Sequence, residues 1–208
     1  PVNFGFLDFT SLAARKHFCA EEVRLNQRLT KGLYLDVLPI TGSVTAPELD
    51  GSGEPIEYAI RMRQFPQDQL LDQRLQRGEL GAEQIDALTR QIAHFHLTAP
   101  EVPAEHPLAQ ADAIMAPIQQ NFEQIRPLLN DPADLQQLAA LEAWAEDSFN
   151  RLRPLLEQRA KQGSIRECHG DIHLGNATTL DGQVVLFDCI EFNEPFRLID
   201  IASDAFFL

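Results

Sequence analysis

"HGDIHLGN", residues 169–176, sets an aspartate and an asparagine five positions apart between glycines, in a chain otherwise rich in helix formers. The residues on either side decide what backbone carries them. "SIREC" (164–168) and "QVVLFD" (183–188) read as strands, with an Asp181-Gly182 turn bridging the strand region. Asp188 ends the second run, twelve residues after Asn176. Polar groups on short loops keep fixed positions when flanking strands pin them. Asp171, Asn176 and Asp188 make up the set that phosphoryl transfer requires. One carboxylate positions an attacking hydroxyl and accepts its proton, while an amide oxygen and a second carboxylate hold magnesium across nucleotide phosphates. Alone, Asp171 would be an ordinary turn residue after glycine, and the matching spacing of the other two favours the catalytic reading.

Upstream of this hairpin the pattern is helical. "DPADLQQLAALEAWAEDSFNRLRPLLEQRAKQG" opens with Asp131 as N-cap and Pro132 at the first helical position, closes at Gly163, and is expected to bend or break near Pro154. "HPLAQADAIMAPIQQNFEQIRPLL" predicts a helix with a kink at Pro117, and "QDQLLDQRLQRG" and "GAEQIDALTRQIAHFHLTA" predict two amphipathic helices. Before Pro66 the composition changes. "YLDVLPITG" (34–42) and "IEYAIRMRQF" (56–65) predict an antiparallel strand pair with a loose connection, preceded by a helix from Ser11 to Leu29 that Gly32 stops. "PVNFGFLDF" (1–9), with Phe4, Phe6 and Phe9, reads as the tail of a strand running into a turn. The outline is α+β: a small strand-containing N-terminal lobe over 1–65, a hinge near 63–67, and a mostly helical C-terminal lobe over 66–208.

Charge and cysteines narrow the function classes. With 17 basic against 31 acidic residues the chain carries a formal charge of −14, which repels nucleic-acid backbones and anionic lipid surfaces. A cationic small molecule would be attracted, although an acidic surface also serves plain solubility. Cys19, Cys168 and Cys189 show no CxxC spacing, so neither a disulfide framework nor a zinc site is indicated and a reducing cytoplasm fits best. No apolar run approaches the roughly 20 residues that span a bilayer, and no signal-peptide pattern opens the chain. The start at Pro1 and the stop at "DAFFL", inside an apolar helical pattern, predict that both ends are cut.

His169-Gly170-Asp171, four residues and then Asn176 resembles the H-x-D-x-x-x-x-N catalytic loop of the protein-kinase-like fold, in the form found in the aminoglycoside phosphotransferase family. "LFDCIEFN" resembles that family's metal-binding segment, and in "FRLIDIASD" Asp200 matches an aspartate usually given a structural role. The resemblance implies a two-lobed kinase-like fold with a truncated N-terminal lobe, and ATP-dependent transfer of a phosphate to a small-molecule hydroxyl. Asp171 would act as catalytic base and Asn176 and Asp188 as magnesium ligands. The helix from Ser11 would carry the glutamate that pairs with the phosphate-binding lysine, Glu21 being the better match and Glu22 the reserve. Arg63, Gln64 and Phe65 would form the hinge that meets the adenine. "FNEPFRLIDIASD" is closest to proteins in which a kinase-like domain is joined to a P-loop ATP-binding domain, which implies such a domain beyond the C-terminus. No G-x-x-x-x-G-K-[ST] occurs within the 208 residues.

The match departs from the family in one respect. The only lysines are Lys16, Lys31 and Lys161, none on a strand before the first helix, and no glycine-rich phosphate loop is present. Both are expected upstream of Pro1; without them the piece binds nucleotide poorly, and a catalytically impaired kinase-like binding module is an alternative. A second alternative is a binuclear metallophosphatase. "GDIHLGN" is similar to its G-D-x-H-G-N signature, but Leu174 is extra and no histidine follows His173. His169 is expected to orient the loop, His173 to lie on the surface or pack, and Glu191 to be either metal support or solvated. His94 and His96, about 200° apart on a helix, are expected to pack in the core, as are Trp144 and Phe149 within a helix pair. The acceptor is not legible: charge favours a cation such as an aminoglycoside, and a sugar or another alcohol is equally compatible.

Overall fold

In the computed structural model, which describes residues 2–5 and 7–206, helix α1 (Leu12–Asn26) begins where Ser11 can cap it: the Ser11 hydroxyl accepts from the Ala14 N–H at 3.0 Å. It ends three residues before the expected Leu29. There Arg28 and Leu29 bond back to Leu25 and Asn26, a tightened last turn that passes through Gly32 at φ 85° into the first strand. Ahead of α1, Asn3 and Asp8 form an isolated antiparallel bridge, the turn expected of the N-terminal segment. Phe6 of that segment, Pro1 at the expected cut start and the last two residues of "DAFFL" lie outside the described residues.

The expected antiparallel pair is present as β1 (Tyr34–Ser43) and β3 (Glu57–Met62), with Val37 opposite Ile60 and Ile40 opposite Glu57. The connection is not loose. It contains a third strand, β2 (Ala46–Leu49), on the other edge of β1, giving the order β2-β1-β3. β2 is exposed throughout and carries Pro47, which an edge strand tolerates because one side of its backbone needs no partner.

Two compact units divide the described chain. One takes the chain up to Ala99, Cys168–Arg197 and the residues from Ile201 on; the other takes Pro100–Glu167 and Leu198–Asp200. The expected hinge at 63–67 therefore falls inside the first unit. That unit holds the three-stranded sheet, α2 (Leu71–Gln76), α3 (Ala82–Thr98) and a hairpin of β5 (Ala177–Leu180) with β6 (Gln183–Leu186). Asp181 and Gly182 both adopt positive φ, 51° and 80°, the geometry a two-residue turn needs to follow the strand twist. Leu71, Leu88, Ile92, Ile172, Ala177 and Leu186 form its main core, and Leu33, Tyr34, Leu180 and Val185 a second. Short helices α6 (Glu194–Arg197) and α7 (Ile201–Ala205) complete it.

The second unit contains α4 (Ala111–Ile125), α5 (Pro132–Lys161) and a two-stranded sheet of β4 (Ile165–Glu167) with β7 (Leu198–Asp200). "SIREC" thus pairs with a strand from "FRLIDIASD" and not with the hairpin. The Asp131 carboxylate caps α5 by accepting from the Ala133 N–H at 2.8 Å. Of the bend or break expected near Pro154, no break occurs: the helix is one element through that residue. Val102, Ala109, Ala160 and Ile165 form this unit's core, and Arg159 pairs with Asp200 at 2.7 Å. Trp144 does not pack within a helix pair: it is 68% exposed, and the ring of Phe149 lies under the Arg153 guanidinium at 4.8 Å.

Candidate active site

The loop 169–176 and the segment 187–190 are stitched together by backbone bonds at both ends of the candidate triad. The Phe187 N–H donates to the Asn176 carbonyl at 3.0 Å, and the Ile190 N–H donates to the His169 carbonyl at 3.0 Å. The buried His169 ring adds a third link, its Nε2 bonding the Phe187 carbonyl at 2.9 Å while Nδ1 accepts from the Asp171 N–H at 3.3 Å. That pair of contacts fixes the tautomer with the proton on Nε2. Burial holds the ring's pKa below the ordinary histidine range, so it remains neutral. His169 therefore orients the loop as a neutral ring, its one ring proton donated to the Phe187 carbonyl.

Within this frame the Asn176 amide is buried and its Nδ2 donates to the Asp171 carbonyl at 3.1 Å and to the Asp171 carboxylate at 3.3 Å. Its Oδ1 is thereby turned away as a free acceptor. Asp171 is half-exposed and lies 3.4 Å from Nε2 of His173, a neighbour that sequence reading assigned to the surface or to packing. Asp188 takes a left-handed backbone, φ 67°, uncommon outside glycine, which re-aims its side chain at the end of β6. Its carboxylate is open to solvent yet surrounded closely enough that burial raises its pKa, and the Asp171 charge raises it further. The loop thus joins Asp171 to Asn176 directly and sets Asp188 within reach of the Asp171 field.

A buried carboxylate that sequence reading did not single out holds the loop in place. Asp204, in α7, is fully buried and accepts from the His169 N–H at 3.2 Å, the Gly170 N–H at 2.8 Å and Nε2 of His96 at 2.8 Å. Burial alone would raise its pKa; the bonds from His96, Gly170 and His169 overcome that and hold it below the usual carboxylate range. Asp200, the aspartate to which the resemblance gives a structural role, is buried and pairs with Arg159. His96 is buried as expected, but as a partner of Asp204, and His94 is exposed rather than packed. His96, Cys168 and Asp204 also bring three donor atoms within 4.8 Å of one another. With three N–H groups already on Asp204, a hydrogen-bonded anchor accounts for that grouping.

From α1, the Asn26 amide oxygen accepts from the Cys189 N–H at 3.0 Å, tying the helix to the residue after Asp188. Glu21 and Glu22 then face different partners. Glu21 is engaged by Arg24 at 2.7 Å and lies 3.7 Å from Arg197, and the bond from Arg24 holds its pKa down. Glu22 is pushed up to about 7, first by burial and then by the charges of Glu191 and Asp188. The Tyr34 hydroxyl is near enough to Glu22 to offset part of that rise. Among the described residues no cation pairs with Glu22. Glu191 belongs to the same acidic group, burial raising its pKa and Asp188 adding to the rise.

Of the expected hinge, Arg63 is exposed, pairs with Asp181 of the hairpin turn at 2.6 Å and donates its N–H to the Leu33 carbonyl. Phe65 meets Phe187 edge to face at 5.4 Å, which sets residue 65 beside the segment that carries Asp188. No described residue bonds the backbone N–H of Gln64 or Phe65.

No family model matches the chain, and no solved structure matches it. Proteins of Mycobacterium tuberculosis and Mycobacterium bovis, each described as uncharacterized, are 26% identical to it over all 208 residues. The chain spans 40% of the length of these curated relatives. No helix among the described residues is long and apolar enough to cross a membrane.

Proposed function

We propose that the chain carries the catalytic and metal-binding part of a kinase-like phosphotransferase that moves the γ-phosphate of ATP to a hydroxyl of a small molecule, in the manner of the aminoglycoside phosphotransferases. The observation that carries this reading is the stitched pair of segments: Asp171 and Asn176 bonded side chain to side chain, with Asp188 held by backbone bonds on both sides of it. The same loop would serve a binuclear metallophosphatase less well, because the His173 ring is half-exposed and its Nδ1 already accepts from the Gly175 N–H.

The donor set suits magnesium, since carboxylate and amide oxygens are the hard ligands that ion takes. Asn176 Oδ1 and the Asp188 carboxylate would hold it, and the ion would neutralise charge on the nucleotide phosphates. Asp171, half-exposed and bonded through its backbone to His169, would orient the acceptor hydroxyl and take its proton. Glu22, not Glu21, is the carboxylate suited to a phosphate-binding lysine, because its own helix leaves it without a cation and its charge already couples to Asp188. The open N–H groups of Gln64 and Phe65 suit an adenine edge. The acceptor remains a small alcohol, with a cationic one favoured by the −14 net charge.

The test uses the full-length protein with radiolabelled ATP, magnesium and a panel of aminoglycosides, sugars and amino alcohols. Transfer of label to at least one acceptor, lost in Asp171→Ala, supports the reading. Absence of any magnesium-dependent nucleotide binding would overturn it.

A further inference from the structure

A cavity of about 730 Å³ lies away from the triad, in the first unit, between the turn after α1, helix α3 and the β5-β6 hairpin. In a chain where acids outnumber bases 31 to 17, its lining holds Lys31 and Arg74 without a carboxylate bonded to either. Lys31 is exposed. Arg74 is half-buried, and its hydrogen bonds go to neutral oxygens at long distance, the Thr179 hydroxyl at 3.4 Å and the Glu79 carbonyl at 3.2 Å. Of the acids in the lining, Asp181 is neutralised by Arg63 and Glu83 lies on the exposed start of α3. The local balance is positive in a molecule that is strongly negative.

Two further lining residues carry buried oxygens with no hydrogen-bond partner. Thr30 is 2% exposed and its hydroxyl is unpaired, and the Gln91 amide bonds the Leu29 carbonyl through Nε2 at 3.0 Å while its Oε1 is unpaired. Leaving such groups unsatisfied is unfavourable, so a ligand that pairs them gains affinity. The two sit together, since Leu29 and Thr30 are adjacent and Gln91 already reaches Leu29.

We infer that this cavity is a binding site for a small hydroxylated anion, a phosphate ester or carboxylate of a polyol. Arg74 and Lys31 hold its anionic group and Gln91 and Thr30 meet its hydroxyls. The volume accommodates a ligand of sugar-phosphate size. The site uses none of the residues assigned to phosphoryl transfer, so it stands independently of that reading.

Isothermal titration of the full-length protein tests it, with glucose 6-phosphate and gluconate as probes and glucose and inorganic phosphate as controls. Saturable binding of either probe is expected, weakened about ten- to a hundredfold in Arg74→Gln and in the surface variant Lys31→Glu, and unchanged in Asp188→Ala. Neutral glucose is expected not to bind. The proposal is overturned if neither probe binds, if both cavity variants bind as the wild type does, if inorganic phosphate binds as tightly as the probes, or if Asp188→Ala abolishes binding.

Discussion

Asp171 and Asp188 lie on one hydrogen-bonded frame but differ in surroundings, and the difference separates their expected phenotypes. Asp171 is accessible, accepts from the Asn176 amide and lies 3.4 Å from the His173 ring, which suits the general-base role proposed for it; removing a general base costs about 10²–10⁴-fold in rate. In the full-length protein Asp171→Ala should therefore lose that factor in kcat with nucleotide affinity retained, whereas Asp188→Ala should lose magnesium-dependent nucleotide binding itself. Pre-steady-state transfer and titration with a fluorescent nucleotide read the two effects separately. Glu22 gives a prediction that needs no ligand. Its folded pKa, about 7, lies above the value of about 4.3 for a free glutamate, so the folded state binds a proton more tightly than the unfolded chain does. Its contribution is full below about pH 4 and is lost as pH rises through 7. Glu22→Gln should consequently be more stable than wild type by about 2 kcal/mol at pH 8 and equal to it near pH 4, in urea titrations with a chelator present.

At the scale of elements, the loop depends on a glycine and on an aspartate 34 positions further on. Gly170 sits at φ 90°, and a Cβ there would lie 2.7 Å from the Phe196 carbonyl oxygen. Gly170→Ala should destabilise by about 1–3 kcal/mol, seen as a lowered urea midpoint with an unchanged slope. Asp204 is a depressed carboxylate, the opposite case from Glu22: its stabilisation is present above about pH 4 and is lost as pH falls below that. Asp204→Ala should cost about 3 kcal/mol at neutral pH, with less difference from wild type in acid. Elements set by local chemistry were legible in the sequence. Ser11 and Asp131 start helices where they should, and Asp181-Gly182 makes the turn its dipeptide predicts. Elements set by distant partners were not. Ala46–Leu49 has no strand signature of its own and is a strand because β1 offers an edge, and β4 reads as a hairpin partner although its bonds go to a strand 33 residues later.

For the molecule as a whole the same distinction holds at the site. The spacing of Asp171, Asn176 and Asp188 could be read directly because strand and loop lengths fix it. That Glu22 and not Glu21 reaches toward Asp188 depends on the rotation of α1 against the hairpin, which Asn26 sets through its bond to Cys189 and which no periodicity announces. Asp204 was hidden for a similar reason: a lone aspartate in a short helix gains its meaning only from two backbone N–H groups that approach from 34 and 35 residues away. The two compact units also cut across chain order, because the segment that follows α5 returns to the first unit after a single short strand.

The sole tryptophan, Trp144, stands on the outer surface of α5 with 68% of its area bare. An indole already in water changes its surroundings little when the chain unfolds. Excitation at the indole band should give red-shifted emission from the native protein and almost no further shift in denaturant, so the optical signal most often used to follow unfolding will be nearly silent. Far-ultraviolet circular dichroism, which follows the helices themselves, should reveal a transition that the fluorescence trace misses.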